Sequence, residues 1–127
     1  MSGVVVDTST WIDFFADTAV PSLETALADG SVVLSPVVVA ELISGARHRR
    51  DRAAIANLMA GLTLHDTPLD HWVRVGELRR RFRTLGITIS IPDAHVAPCA
   101  LDREGVLLSR DSVFARMAPH CGLLLGG

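Results

Sequence analysis

The stretch that decides the fold is GVVVDTSTWIDFF, residues 3–15. Val4, Val5 and Val6 form an apolar run without polar alternation, the pattern of a strand covered on both faces in a parallel sheet. The run ends on Asp7, a carboxylate, followed at once by Thr8 and Ser9. A charge at the end of a buried strand is either useful or costly, because an unpaired buried carboxylate costs several kcal/mol or is forced to protonate.

Beyond this stretch, β-branched runs alternate with longer helical ones. PSLETALADG (21–30) reads as a helix stopped by Gly30, and SVVLS (31–35) as a second strand. Ser35-Pro36 supplies a cap and a first-turn proline for the helix PVVVAELISGA. Further helices are predicted over 50–61 and 70–85, the latter from the spacing of Trp72, Val75, Leu78, Phe82 and Leu85. Pro92 opens another, reaching about Arg103, and Ser112 to Met117 forms a short last one. LTLHD (62–66), VLLS (106–109) and LLL (123–125) complete the predicted strands. Strands separated by helices predict a three-layer α/β/α sandwich with a mainly parallel central sheet of four to five strands. The 127 residues suit a single domain, 1–127, able to bury about two-thirds of its unfolded surface.

Composition excludes several function classes. Net charge is -2, which is neither a basic nucleic-acid scaffold nor an acidic tail. All 12 basic residues are arginine. The absence of lysine removes the P-loop phosphate grip and Schiff-base chemistry. It also argues against a phosphoryl-accepting domain built on Asp7, since such domains pair their aspartate with an essential lysine. Cys99 and Cys121, without CxxC spacing, read as reduced thiols. Asp7 interrupts the first apolar run, which is therefore expected not to be a signal peptide, and no stretch reaches membrane-spanning length. Together these point to the cytoplasm.

Three more acids share the setting of Asp7. Glu41 is the only charge between Gly30 and Ala46, Asp93 the only one between Thr84 and Leu101, and Asp111 follows GVLLS with only Arg110 between. Each has an ordinary explanation: Asp7, Asp93 and Asp111 as helix caps, and Glu41 as the partner of an arginine, Arg47 or Arg110. Those explanations weaken jointly, because in a parallel α/β sheet Asp7 and Asp111 both follow strands and project onto the ligand-binding edge. Carboxylates gathered there need a compensating cation. An all-oxygen donor set favours Mg²⁺, with Mn²⁺ as a substitute, and phosphodiester hydrolysis fits such a site.

VVVDTSTWIDFF, SPVVVAELISGA, IPDAHVAPCA and LLSRDSVF resemble, in that order, the four signature segments of PIN-domain nucleases. The similarity is greatest to the VapC-type toxins of bacterial toxin–antitoxin pairs, and it covers essentially the whole chain. It implies a metal-dependent endoribonuclease neutralised by a cognate antitoxin, and commonly a homodimer. Asp7, Glu41, Asp93 and Asp111 would be the catalytic, Mg²⁺-holding acids, with Thr8, Ser9 and Ser109 in support. The implied reaction is attack of a metal-activated water on an RNA phosphodiester, leaving a 5′-phosphate. Two departures stand out. Val113 occupies a place where some relatives carry a fifth acid, which favours a single tightly held ion. Pro98 falls inside the Asp93 helix, where proline costs about 3 kcal/mol unless the helix kinks or ends.

Arg47, Arg49 and Arg50, with Arg110, are candidate contacts for RNA or antitoxin, against the plainer reading of a solvated helix face. The five histidines show no metal-ligand spacing, and His95 is expected in the core or at its rim. Trp11, Phe14 and Phe15 are read as core or dimer-interface residues, Asp13 and Asp17 as exposed helix acids. Two other functions stay open on sequence: a catalytically silent PIN-like binding module, and a nuclease outside any toxin–antitoxin pair.

Overall fold

A computed structural model describes residues 3–127. Five strands, β1 (Val4–Val6), β2 (Val32–Leu34), β3 (Thr63–Leu64), β4 (Val106–Leu108) and β5 (Leu124–Leu125), form one sheet of order β3-β2-β1-β4-β5. Every pairing is parallel. Seven helices connect and flank them: α1 (Thr8–Phe15), α2 (Pro21–Asp29), α3 (Pro36–Gly45), α4 (Arg49–Ala60), α5 (Leu69–Thr84), α6 (Ile91–Leu101) and α7 (Ser112–Cys121).

The strand order fixes where a site can form. From β1 the chain steps to β2 and β3 in one direction, then returns to β4 on the far side of β1. Right-handed crossovers therefore put α1–α4 over one face of the sheet and α5–α7 over the other. The reversal falls between β1 and β4, so the crevice beyond their carboxyl ends is the ligand-binding position of this topology. The Asp7 amide donates to Leu108 O across that junction (2.9 Å).

The core accounts for the apolar sequence runs. Val5, Leu107, Phe82 and Phe114 are fully buried, and Trp11 packs against Phe14 and Phe15 with ring centroids 5.8 Å away in each case. Trp11 is thus a core residue, while Phe14 and Phe15 are partly buried against the core. Gly30 ends α2 in the left-handed conformation (φ 70°), as its position predicts. No helix among the described residues is long and apolar enough to cross a membrane.

Boundaries depart from expectation at two kinds of place. The edge strands β3 and β5 pair over two residues each, fewer than the apolar runs suggest, because only one neighbour is available to extend the ladder. Both interior prolines are tolerated. Pro98 sits within α6, which continues to Leu101 with the Asp102 amide bonded to Pro98 O (2.9 Å), and α7 runs through Pro119 to Cys121 rather than stopping near Met117.

Candidate active site

Each of the four acids is delivered by a different piece of local structure to the same edge of the sheet. Asp7 follows β1 and occupies the N-cap position of α1, yet its side chain makes no capping bond. Its Oδ2 instead accepts from Ser109 Oγ (2.8 Å) and Ser9 Oγ (3.3 Å). Those hydroxyls are themselves tied to β4's exit, since Ser109 Oγ accepts from the Asp111 amide (3.0 Å) and Ser9 Oγ from the Arg110 amide (3.1 Å). The ends of β1 and β4 are thereby stitched into one lattice. Asp7 Oδ1 has no hydrogen bond among the described residues and is left free for a ligand.

Glu41 lies on α3, whose start is fixed by Ser35 Oγ accepting from the Val38 amide (3.2 Å). Thr8 Oγ1 donates to Glu41 Oε1 (2.8 Å), holding the second-turn glutamate against the first turn of α1. Asp93 is in the first turn of α6, where the cap is Ser90, whose Oγ accepts from the Asp93 amide (3.2 Å). Asp93 is therefore not the cap of α6, although it stands in the first turn, where a helix start favours an acid. Asp111 does cap its helix, with Oδ1 accepting from the Val113 amide (3.0 Å), and Oδ2 remains free. The three hydroxyl residues Thr8, Ser9 and Ser109 all touch an acid of the quartet.

Burial differs among the four. Asp7 is only 8% exposed, Asp93 is half-buried, and Glu41 and Asp111 are open to solvent. Uncharged sequence surroundings overstate burial here, because the acids stand on the rim of the sheet rather than inside it. Asp93 feels the others. Its carboxyl is shifted up from the usual value by burial first, partly offset by the Ser90 hydroxyl, and then by the charges of Asp111, Asp7 and Glu41.

Neither arginine considered as Glu41's partner takes that role. Arg110 binds Asp13 instead (Nε to Oδ2, 2.5 Å), which makes Asp13 a half-buried anchor rather than a free exposed acid. Among the described residues none of the four acids makes a salt bridge with an arginine. Arg47, Arg49 and Arg50 are exposed, and Arg50 reaches only its neighbour Asp51. Between the site and their helix runs a groove of about 440 Å³, lined by Thr8, Ile12, Phe15, Glu41, Ala54 and Ile55 among others.

The donor chemistry fits a hard divalent cation: oxygen donors alone, net negative charge without a counter-cation, and free oxygens on Asp7 and Asp111. The quartet is not drawn into a tight ring, since the trios of possible ligand atoms lying within 4.8 Å of one another are histidine-containing among the described residues. An Asp93→Asn substitution is expected to raise the Tm of metal-free protein near neutral pH by roughly 1–3 °C, by removing a charge disfavoured first by burial and then by its acidic neighbours. The sign follows from linkage. With the folded pKa above the unfolded one, the native state holds the extra proton, so this group's contribution to stability falls as pH rises through that interval. Thermal melts in EDTA across pH 4–7 check this: the gain of the variant should shrink toward the acid end (an order-of-magnitude window from ordinary carboxylate values).

The PIN domain family model matches residues 4–119. The chain belongs to the PIN-domain family. Solved structures agree in fold. The chain is similar to a structure described as DNA-bound VapBC from Salmonella typhimurium, at 21% identity and TM-score 0.82, covering 99% of this chain and 98% of that one. It is also similar to VapBC2 from Rickettsia felis bound to a promoter DNA fragment (18% identity, TM-score 0.77, 97% and 96% covered). A third is VapBC-5 from Mycobacterium tuberculosis, described as a toxin–antitoxin family member (21% identity, TM-score 0.68, 98% of each chain). Comparison with curated proteins gives no match.

Beside α6 the structure groups residues that no sequence motif linked, among them His95, which lies in the core as expected. His65, His71, His95, Cys99 and Asp102 converge beside α6 although their sequence spacings spell no ligand motif. The one available signal was His95 and Cys99 at i, i+4, which places both on one face of a helix.

Proposed function

We propose that this PIN domain is a Mg²⁺-dependent endoribonuclease and acts as the toxin of a toxin–antitoxin pair. The observation that carries the reading is the convergence of Asp7, Glu41, Asp93 and Asp111 at the topological switch point without a neutralising arginine. Asp7, held by Ser9 and Ser109, and Asp111, held by its helix, each keep a free oxygen for an ion; Glu41, positioned by Thr8, and Asp93 complete the donor set. When bound there, a divalent cation supplies charge to polarise a phosphodiester and acidify an attacking water. The residues' own work is to orient: two hydroxyl-to-carboxylate bonds hold Asp7, and one holds Glu41, before the substrate enters.

RNA is the preferred substrate class because of the family, and the exposed arginines at the start of α4 offer phosphate contacts on the same side as Glu41. Structural neighbours named as toxin–antitoxin proteins support an antitoxin as the protein partner, and the groove beside Thr8 would let such a partner reach Glu41. Homodimer formation is part of the same proposal.

The test is cleavage of a mixed RNA pool by purified, partner-free protein in Mg²⁺, in Mn²⁺ and in EDTA, beside Asp93→Asn. Metal-dependent cuts with 5′-phosphate ends, absent from the variant, are the expected result. Intact RNA in every condition, with no Mg²⁺ or Mn²⁺ bound in a parallel titration, would overturn it in favour of a binding module.

A further inference from the structure

We infer that the flank of α5 carrying Trp72, Arg79 and Arg83 is a binding face for single-stranded RNA, where the arginines grip phosphates and the indole stacks a base on the Asp93 side of the crevice. The inference rests on the nuclease reading of the four acids and names the surface that would deliver their substrate. The spacing of the three residues is helical. Seven residues separate Trp72 from Arg79 and four separate Arg79 from Arg83, close to two turns and one turn, so the three line one side of the helix.

Contacts between α5 and its neighbours place that flank along the start of α6. The Trp72 indole lies on the ring of His95, two residues beyond Asp93, with centroids 4.9 Å apart and planes 10° from parallel. Arg79 Nε donates to Ile89 O (2.9 Å), and the next residue, Ser90, is the cap of the Asp93 helix. The opposite flank leads elsewhere. Arg74 binds Asp102 (2.7 Å) just past the end of α6, and Arg81 donates to His120 O on α7. The Trp72–Arg83 flank therefore borders the active-site end of α6, and the Arg74 flank its far end.

The charge on this flank is not neutralised. The two acids of α5, Asp70 and Glu77, fall on the other side, each four residues before Arg74 or Arg81, the spacing that meets on a helix surface. Among the described residues neither Arg79 nor Arg83 forms an ion pair. A helix C-terminus favours cations in its last turn, which suffices for Arg83 but not for Arg79, one turn earlier. The bond from Arg79 Nε holds its guanidinium beside Ser90 and leaves the two terminal nitrogens for a phosphate.

Trp72 adds what bare charge does not. Backed by His95 and fixed by Nε1 donating to Thr67 O (3.2 Å), its indole still keeps 36% exposure, the build of a platform for an unpaired base. A duplex holds its bases inside and offers such a ring nothing, so ring and arginines together select a single strand. An acidic protein tail would need the arginines alone. The arginines of α4 lie over one face of the sheet and those of α5 over the other, so a strand gripped by both crosses the crevice between them.

Binding is measured without cleavage, in EDTA, from the anisotropy of a labelled single-stranded RNA of about 15 nucleotides and full-length, partner-free protein. Thermal melts check that each variant folds. The double variant Arg79→Gln, Arg83→Gln is expected to bind roughly tenfold more weakly, and its slope of log affinity against log salt should fall by about 1.4, or about 0.7 per lost contact. Should that pair unfold, Arg83→Gln alone, at an exposed position, should lower the slope by about 0.7. Arg81→Gln, the same loss of charge on the other flank, should change affinity less than about twofold. Trp72→Leu should weaken binding roughly tenfold with the salt slope unchanged, because stacking is not electrostatic. In the wild type the single strand should quench tryptophan emission, since Trp11 is buried and Trp72 is the ring within reach, and a duplex should not. Unchanged affinity and slope in the arginine variants would overturn the inference and leave the flank to an acidic protein partner; emission that the single strand leaves unquenched would overturn the platform. The two readings fail separately. Binding of this pattern without Mg²⁺-dependent cuts keeps the face and loses the nuclease, whereas cleavage by the double variant at the wild-type rate, with RNA below saturation, does the reverse.

Discussion

Asp7→Asn is expected to lower the rate of RNA cleavage by about 10³-fold, with the fold intact. The substitution preserves size and one carbonyl acceptor for Ser9 and Ser109, so the lattice at the ends of β1 and β4 survives. It removes the charge at the centre of the crevice, the acid with least access to water among the four. Charge stabilisation by an ion is worth several kcal/mol in the transition state, and about 4 kcal/mol corresponds to a factor of about 10³. Single-turnover rates measured over a range of Mg²⁺ concentrations separate two causes. A deficit that persists at saturating Mg²⁺ places Asp7 in the chemistry; one that Mg²⁺ fully repairs limits it to ion capture. A rate within tenfold of wild type at low Mg²⁺ would remove Asp7 from the site.

Gly105→Ala is expected to cost about 3 kcal/mol or more of folding stability. An added Cβ would stand 1.9 Å from Gly3 O and 2.8 Å from Gly3 C, both backbone atoms that no rotamer change can move. The same Gly3 O accepts the Val106 amide (3.1 Å), so the clash falls at the entrance to the β1–β4 pair. Displacing that pair would also disturb the register that brings Asp7 to Ser109, and cleavage should fall with stability. Urea unfolding gives the readout: a lower midpoint at an unchanged m-value. Gly76→Ala is the control. It lies in α5 with open space around its Cβ, and alanine there should be stabilising by about 0.5–1 kcal/mol.

What the sequence made legible was whatever depends on local pattern. Val4–Val6 and Val106–Leu108 announced buried parallel strands because nothing polar alternates with them, and Ser35-Pro36 announced the start of α3. The four acids were conspicuous by isolation, and their common edge follows once the strands are parallel. Their exposure was not legible, since Glu41 and Asp111 sit in apolar sequence but on an open rim. The pairing of Arg110 with Asp13 depends on how α1 lies beside the β4 exit, a relation across nearly a hundred residues. His71 and His95 meet only because α5 and α6 pack together, and no spacing rule reaches across two helices.

β1 is the first strand of the chain and lies in the middle of the sheet, with residues 106–108 on one side of it. During vectorial synthesis, therefore, Asp7 emerges from the ribosome long before Ser109, its hydrogen-bond partner 102 positions later. At about 5–20 residues per second, the interval is on the order of 5–20 s. Throughout it the nascent chain carries the first acid but cannot hold it in place. Any activity the crevice confers is thus withheld until Ser109 has been made, and a chain cut short before Ser109 lacks it.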